Sequence, residues 1–187
     1  PLLRLNPFRD LEGHWAKESI LALTAMANPV MVGVGDAYFG VNEGLTRAQL
    51  VTVINRVFGY QHDQETATFY DVSQEHWAKD EIAVAQARGY ITGYPDGTFR
   101  PDVPVSRGEL AAILATVAHL PQGSATPFTD LTQSGWSWCK NAVESMYSAG
   151  LAAGVTSDSF APQQTLTRGE GAVFIYRFMQ SSYYSQE

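Results

Sequence analysis

Thr46-Arg47-Ala48-Gln49, Ser106-Arg107-Gly108-Glu109 and Thr167-Arg168-Gly169-Glu170 are three versions of one helix-opening tetrapeptide. Steps of 60 and 61 residues separate their hydroxyl residues, and Phe-x-Asp-Leu/Val recurs upstream as Phe8 to Leu11, Phe69 to Val72 and Phe128 to Leu131. A chain written in triplicate is a repeat protein, in which a multivalent binder is expected rather than one asymmetric active site. In each tetrapeptide a hydroxyl residue stands three places before Gln49, Glu109 or Glu170, which is the capping-box pattern. Leu45 with Leu50, and Val105 with Leu110, add a hydrophobic staple, whereas Leu166 meets only Gly171.

After each tetrapeptide the apolar residues run Leu50, Val53, Ile54, Val57, then Leu110, Ile113, Leu114, Val117, then Gly171, Phe174, Ile175, Phe178. Spacing of 0, 3, 4 and 7 is that of a helix packed along one face, and three such helices most simply meet in a bundle. A shorter helix precedes each, opening near a tryptophan, with stripes Ala16, Ile20, Leu23; Ala78, Ile82, Ala85; and Cys139, Val143, Met146. This register makes Trp15, Trp77 and Trp138 the repeated tryptophans, with Trp136 competing for the third place.

The loop between the two helices has a fixed length. From Pro29 to Arg47, Gly89 to Arg107 and Gly150 to Arg168 the interval is 18 residues, with Gly33, Gly93, Gly154 and Phe39, Phe99, Phe160 in register. Pro95-Asp96-Gly97 in the middle loop is a turn, since Pro fixes φ and Gly tolerates positive φ. Oxygen ligands at alternating positions are missing, so a calcium loop is set aside. The repeats are expected at 1–60, 61–121 and 122–187, with linkers at 59–68 and 121–127 and a frayed tail from Ser181 to Glu187.

Composition narrows the function. At 45% hydrophobic and 12% aromatic residues the chain is globular, while units of about 60 residues bury a core poorly alone and should pack on one another. A net charge of −7 argues against nucleic acid, which needs a basic face. No apolar run approaches the roughly 18 residues of a membrane span. The chain opens at Pro1 without an initiator Met or a basic-plus-apolar leader, which predicts an excised or processed piece of a longer protein. Cys139 alone cannot form an internal disulfide and, on an apolar stripe, is expected to be an inert buried thiol. The four histidines show no metal spacing, and no cofactor is expected.

Arg47, Arg107 and Arg168 stand at the first helical position, where positive charge opposes the helix dipole. Two readings account for them: an anionic ligand addressed by free backbone N–H groups and the guanidinium, or a salt bridge to a loop or neighbouring carboxylate. On the first reading Arg107 is a surface group, and truncating it should cost less than about 1 kcal/mol. The tryptophans read either as wedges between helix and loop or as platforms for a sugar ring; a wedge at Trp77 implies a loss of roughly 3 kcal/mol on truncation. Gly33, Gly93 and Gly154 allow close approach of ligand or backbone. Asp10, Asp71 and Asp130 recur before a helix, which fits capping or a structural hydrogen bond rather than paired catalytic carboxylates.

Taken together, Phe-x-Asp, a helix-opening tryptophan, Gly93-Tyr94-Pro95-Asp96-Gly97-Thr98-Phe99-Arg100-Pro101 and the Thr/Ser-Arg-Ala/Gly-Glu start, repeated near every 60 residues, resemble the surface-layer homology domain. The match runs from Phe8 to about Met179. The resemblance implies a mainly α fold, a pseudo-threefold, three-pronged spindle of helix-loop-helix repeats around a central helical bundle. It implies a non-enzymatic module at the bacterial cell surface, part of a larger protein, anchoring it non-covalently to the wall. Its grooves between repeats would bind a secondary cell-wall polysaccharide through pyruvylated N-acetylmannosamine, the alternatives being peptidoglycan or a protein assembly partner. The ligand-binding residues so implied are the three arginines, Trp15, Trp77, Trp138, the three aspartates and the three glycines named above. Unit 1 departs from the pattern at Pro29, Ala37 and Val41, and unit 3 replaces the turn by Thr156-Ser157-Asp158. Unequal grooves are therefore expected, with those using the middle unit tighter and the unit 1 loop weakest.

Overall fold

Each capping box closes in full. In the computed structural model, which describes residues 6–132 and 135–184, the Thr46 hydroxyl accepts from the Gln49 amide at 3.1 Å while the Gln49 side chain accepts from the Thr46 amide at 3.1 Å. Ser106 with Glu109 and Thr167 with Glu170 repeat the exchange. Gln serves the box as well as Glu.

The fold is mainly helical: α1 (Lys17–Thr24), α2 (Arg47–Phe58), α3 (Lys79–Ala87), α4 (Arg107–Val117), α5 (Lys140–Ser148) and α6 (Arg168–Gln180), two per unit. Among the described residues there is no β-strand, only isolated bridges. The stripes expected on the short helices are buried, with all nine residues at 0% exposure. These helices lack a side-chain cap of their own. The Nδ1 atoms of His14 and His76 instead accept the amides of Ala16 and Ala78 at 3.1 Å, which fixes the ring tautomer. Unit 3 has no histidine there, and a 3₁₀ turn over Ser137–Cys139 starts its helix.

Helices pair across unit boundaries. α3 packs on α2, α5 on α4, and α1 returns to α6, so each short helix lies against the capped helix of the preceding unit. One continuous apolar core joins all three units, which answers the problem that about 60 residues enclose too little apolar surface. Gly171, where the third staple is missing, faces the Leu45 side chain of unit 1 so closely that a Cβ would collide with it. A neighbour's leucine fills the place of the staple.

Between the helices, one aspartate per unit pins the loop. Asp10 accepts the amides of Phe39, Gly40 and Val41 at 2.8–2.9 Å; Asp71 accepts those of Phe99 and Arg100; Asp130 accepts those of Phe160 and Ala161 and the Ser159 hydroxyl. Successive amides converge because Gly40, Arg100 and Ala161 adopt positive φ, the backbone form that turns neighbouring N–H groups toward one anion. The aspartates thus make structural hydrogen bonds to the loop, not the helix caps that their position before a helix suggested. Burial pushes the Asp10 and Asp130 carboxyls up, but the hydrogen bonds outweigh it and hold both below the usual range. Phe8, Phe69 and Phe128 pack on Phe39, Phe99 and Phe160 with ring centroids 5.5–5.7 Å apart.

The three units close into a ring. The Leu45 amide donates to the Leu166 carbonyl, Leu166 to Val105 and Val105 to Leu45, at 2.8–2.9 Å. Around this triangle the Arg47 and Ala48 amides donate to Val103 and Pro101, those of Arg107 and Gly108 to Gln164 and Pro162, and those of Arg168 and Gly169 to Glu43 and Val41. Every capped helix therefore plugs its first two orphan N–H groups into the next unit's loop. The tail expected to fray does so neither at Ser181 nor at Tyr184: Tyr184 stacks edge-on against Phe178 and its hydroxyl donates to the Val57 carbonyl. The chain opening at Pro1 and residues 185–187 of that tail lie outside the described residues.

Candidate functional site

At each closure the arginine follows its backbone into the neighbouring unit. Nε of Arg47 donates to the Phe99 carbonyl, Nε of Arg107 to Phe160 and Nε of Arg168 to Phe39, at 2.8–3.0 Å. The guanidinium lies 4.6–4.8 Å from the centroid of the same phenylalanine ring in all three cases. Arg47, Arg107 and Arg168 are only 6%, 8% and 5% exposed. They are interface residues rather than surface groups, and the helix-start N–H groups are occupied rather than free. Desolvation lowers the pKa of Arg107 and Arg168, although a guanidinium stays charged.

The remaining guanidinium nitrogens differ between units. Nη2 of Arg107 donates to the Ala153 carbonyl at 2.8 Å and Nη2 of Arg168 to the Val32 carbonyl at 2.6 Å. Arg47 instead pairs through Nη1 with the Glu109 carboxylate at 3.1 Å. Glu109 also accepts the Tyr94 hydroxyl, and burial together with that bond pushes the Tyr94 phenol up to about 12.

Two clefts lie beside these arginines. The first, about 300 Å³, is walled by the unit 1 loop at Gly33, one face of α2, Trp77 from unit 2 and Arg168 from unit 3. The second, about 650 Å³, is walled by the unit 2 loop at Gly93, one face of α4, Trp138 from unit 3 and Arg47 from unit 1. Each cleft draws on all three units. Applying the same succession to unit 3 groups Gly154, Trp15 and Arg107, where Arg107 reaches Ala153 beside Gly154.

Trp15, Trp77 and Trp138 are 65%, 61% and 54% exposed, so the wedge reading of the tryptophans does not hold. Each immediately precedes the N-cap residue of its short helix, one place before the buried stripe. That shared place and exposure make Trp138 the third repeat tryptophan; Trp136, half-buried, stands 5.9 Å from it, centroid to centroid, in the same cleft. The glycines are set by backbone fit. A Cβ on Gly33 would come within 2.7 Å of the Tyr38 carbonyl, and one on Gly93, at φ +72°, within 2.8 Å of that of Thr98 and into the Phe69 ring. Asp10, Asp71 and Asp130 line neither cleft and hold the loops from behind; Asp10 borders a separate cavity with Glu43.

Other cleft residues escaped the sequence reading. Gln49, Thr52, Val53 and Arg56 line the first cleft, and Glu109, Ala112, Ile113 and Thr116 the second. Their spacing is again 0, 3, 4 and 7, starting one residue before the core stripe, so helical arithmetic shifted by one place identifies them. Cys139 is fully buried, its thiol pushed up to about 11 by burial, and donates to the Trp136 carbonyl. Among the described residues no cluster of His, Cys, Asp or Glu could hold a metal, and no helix is long and apolar enough to cross a membrane.

The architecture is that of a closed three-repeat module whose clefts are each assembled from three units. The sequence profile of the S-layer homology domain matches residues 7–51, 68–111 and 127–172, and the chain belongs to that family. It is 29% identical over 94% of its length to an amylopullulanase of Thermoanaerobacterium thermosulfurigenes and 26% identical over 81% to a cellulosome-anchoring protein of Acetivibrio thermocellus. An S-layer protein of Bacillus thuringiensis subsp. finitimus is 28% identical over 87% of the chain. The match spans 10%, 36% and 20% of those relatives. The family and these relatives make the chain a cell-surface anchoring module.

Proposed function

We propose that this module is non-enzymatic and holds a larger protein to the bacterial wall by binding a secondary cell-wall polysaccharide in its inter-unit clefts. The three repeats, divided near residues 60 and 121, act as one binding body. The observation that carries this reading is an exposed tryptophan facing a loop glycine and a buried arginine across one cleft, a combination found twice with different residues. An indole offers a flat apolar face to a sugar ring and an N–H to its hydroxyls, while guanidinium groups address acidic substituents such as the carboxylate of pyruvylated N-acetylmannosamine. Several weak cleft contacts on one polymer add through effective concentration.

Co-sedimentation with purified wall sacculi, before and after chemical stripping of the secondary polymer, tests the reading. Binding that disappears on stripping is the expected result. Binding that survives stripping would transfer the target to peptidoglycan, and self-association in sedimentation without glycan would favour protein assembly.

A further inference from the structure

The two clefts carry different charge. In the first, the lining side chains include Arg168 and Arg56 and no carboxylate, because Gln49 occupies the capping-box position. Arg56 is exposed and reaches the Val30 carbonyl through Nη1 at 3.4 Å; Arg168 spends Nε and Nη2 on carbonyls, and its Nη1 has no hydrogen-bond partner among the described residues. The carboxylates that act on Arg168, Glu43 and Asp10, line the separate cavity behind the loop, and Asp10 is already committed to three backbone amides.

In the second cleft Glu109 takes the place of Gln49 and Thr116 that of Arg56. Arg47 is tied to Glu109, so the lining charges cancel. What remains is aromatic: Trp136, Trp138, Tyr90 and Tyr94 surround a volume twice as large. A carboxylate entering there would meet the Glu109 carboxylate, whereas an uncharged sugar can stack on the indole faces without that repulsion.

We infer that the clefts divide the ligand by charge, the first taking a sugar that bears a carboxylate and the second an uncharged sugar ring. The inference rests on the clefts being glycan sites. It reverses the ranking expected from loop sequence alone for an acidic ligand, since Gln49 against Glu109 and Arg56 against Thr116 leave the first cleft positive and the second neutral.

Two probes test it: the methyl glycoside of ketal-pyruvylated N-acetylmannosamine, and the same compound as its uncharged methyl ester. Indole N–H signals report the site, Trp77 for the first cleft and Trp136 with Trp138 for the second. The acid should perturb Trp77 first and the ester should perturb the second cleft. Gln49→Glu should weaken the acid at Trp77 by roughly tenfold or more, the scale of one close charge pair. Glu109→Gln should let the acid into the second cleft. Both variants keep a working capping box, because each residue already serves it elsewhere in this chain.

Acid binding at Trp138 as tight as at Trp77 in the unaltered chain, or a preference unmoved by the double exchange, overturns the division. If that happens while stripping-sensitive wall binding persists, only the division falls. If neither probe binds and wall binding is absent as well, the glycan reading falls with it.

Discussion

Arg107→Ala separates an interface arginine from a ligand-only arginine. Nε–H and Nη2–H both donate at 2.8 Å, to Phe160 and Ala153, and the guanidinium sits 4.6 Å from the Phe160 ring centroid. Truncation leaves the Phe160 carbonyl buried without its donor, about 1–3 kcal/mol. Water can replace the donor at Ala153, which is exposed, so that bond adds little. Loss of the cation–π contact adds about 0.5–2 kcal/mol. The expected sum is about 3 kcal/mol, measured as the change in unfolding free energy in urea, with Arg107→Lys intermediate because one donor and the charge persist. A loss below about 1 kcal/mol, the value for a surface group, would refute the interface role. Because the contact joins units 2 and 3, any binding defect must be judged at temperatures where the variant remains folded.

Trp77→Ala should change unfolding free energy by less than about 0.5 kcal/mol, since the side chain is largely in solvent, yet weaken wall co-sedimentation; a large stability loss would restore the wedge reading. Gly93→Ala should cost about 3 kcal/mol by calorimetry, from positive φ and the collision with Phe69 and Thr98, and a neutral result would mean the loop relaxes freely. Asp10 and Asp130 have folded pKa values below the unfolded one, so their stabilisation is complete above the unfolded value, near pH 4, and is lost as pH falls through the lower folded values. The urea midpoint should fall only below about pH 4; a fall centred near pH 6 would point to histidine instead.

What was legible in the sequence was local. Capping boxes and both helical stripes depend on residues three or four apart, and all three copies formed as read. The arginines were visible as an anomaly against the helix dipole, but apart from the Glu109 carboxylate that pairs with Arg47 their hydrogen-bond partners are main-chain carbonyls 46 to 136 positions away, which leave no mark in residue type. The aspartates hid their role likewise, since their acceptors face backbone amides about 30 residues on. Tryptophan exposure was missed because the indole stands one place before the buried stripe, where periodicity gives no side. The cleft faces were readable in principle, being the neighbouring stripe of α2 and α4.

The triangle through Leu45, Val105 and Leu166 gives every unit both halves of one contact, a helix start that inserts and a loop that receives. In oligomers such a head-to-tail contact either closes at a fixed number of copies or grows without end. Here the covalent chain holds three copies, and the third returns to the first with no half left over. The linear order of the units is therefore incidental to the ring: a circular permutant that began at unit 2 and joined unit 3 to unit 1 through a sufficient linker would retain all three junctions. Removing one unit would instead expose an inserting helix at one end and a receiving loop at the other, turning a self-contained ring into the repeating piece of an open chain.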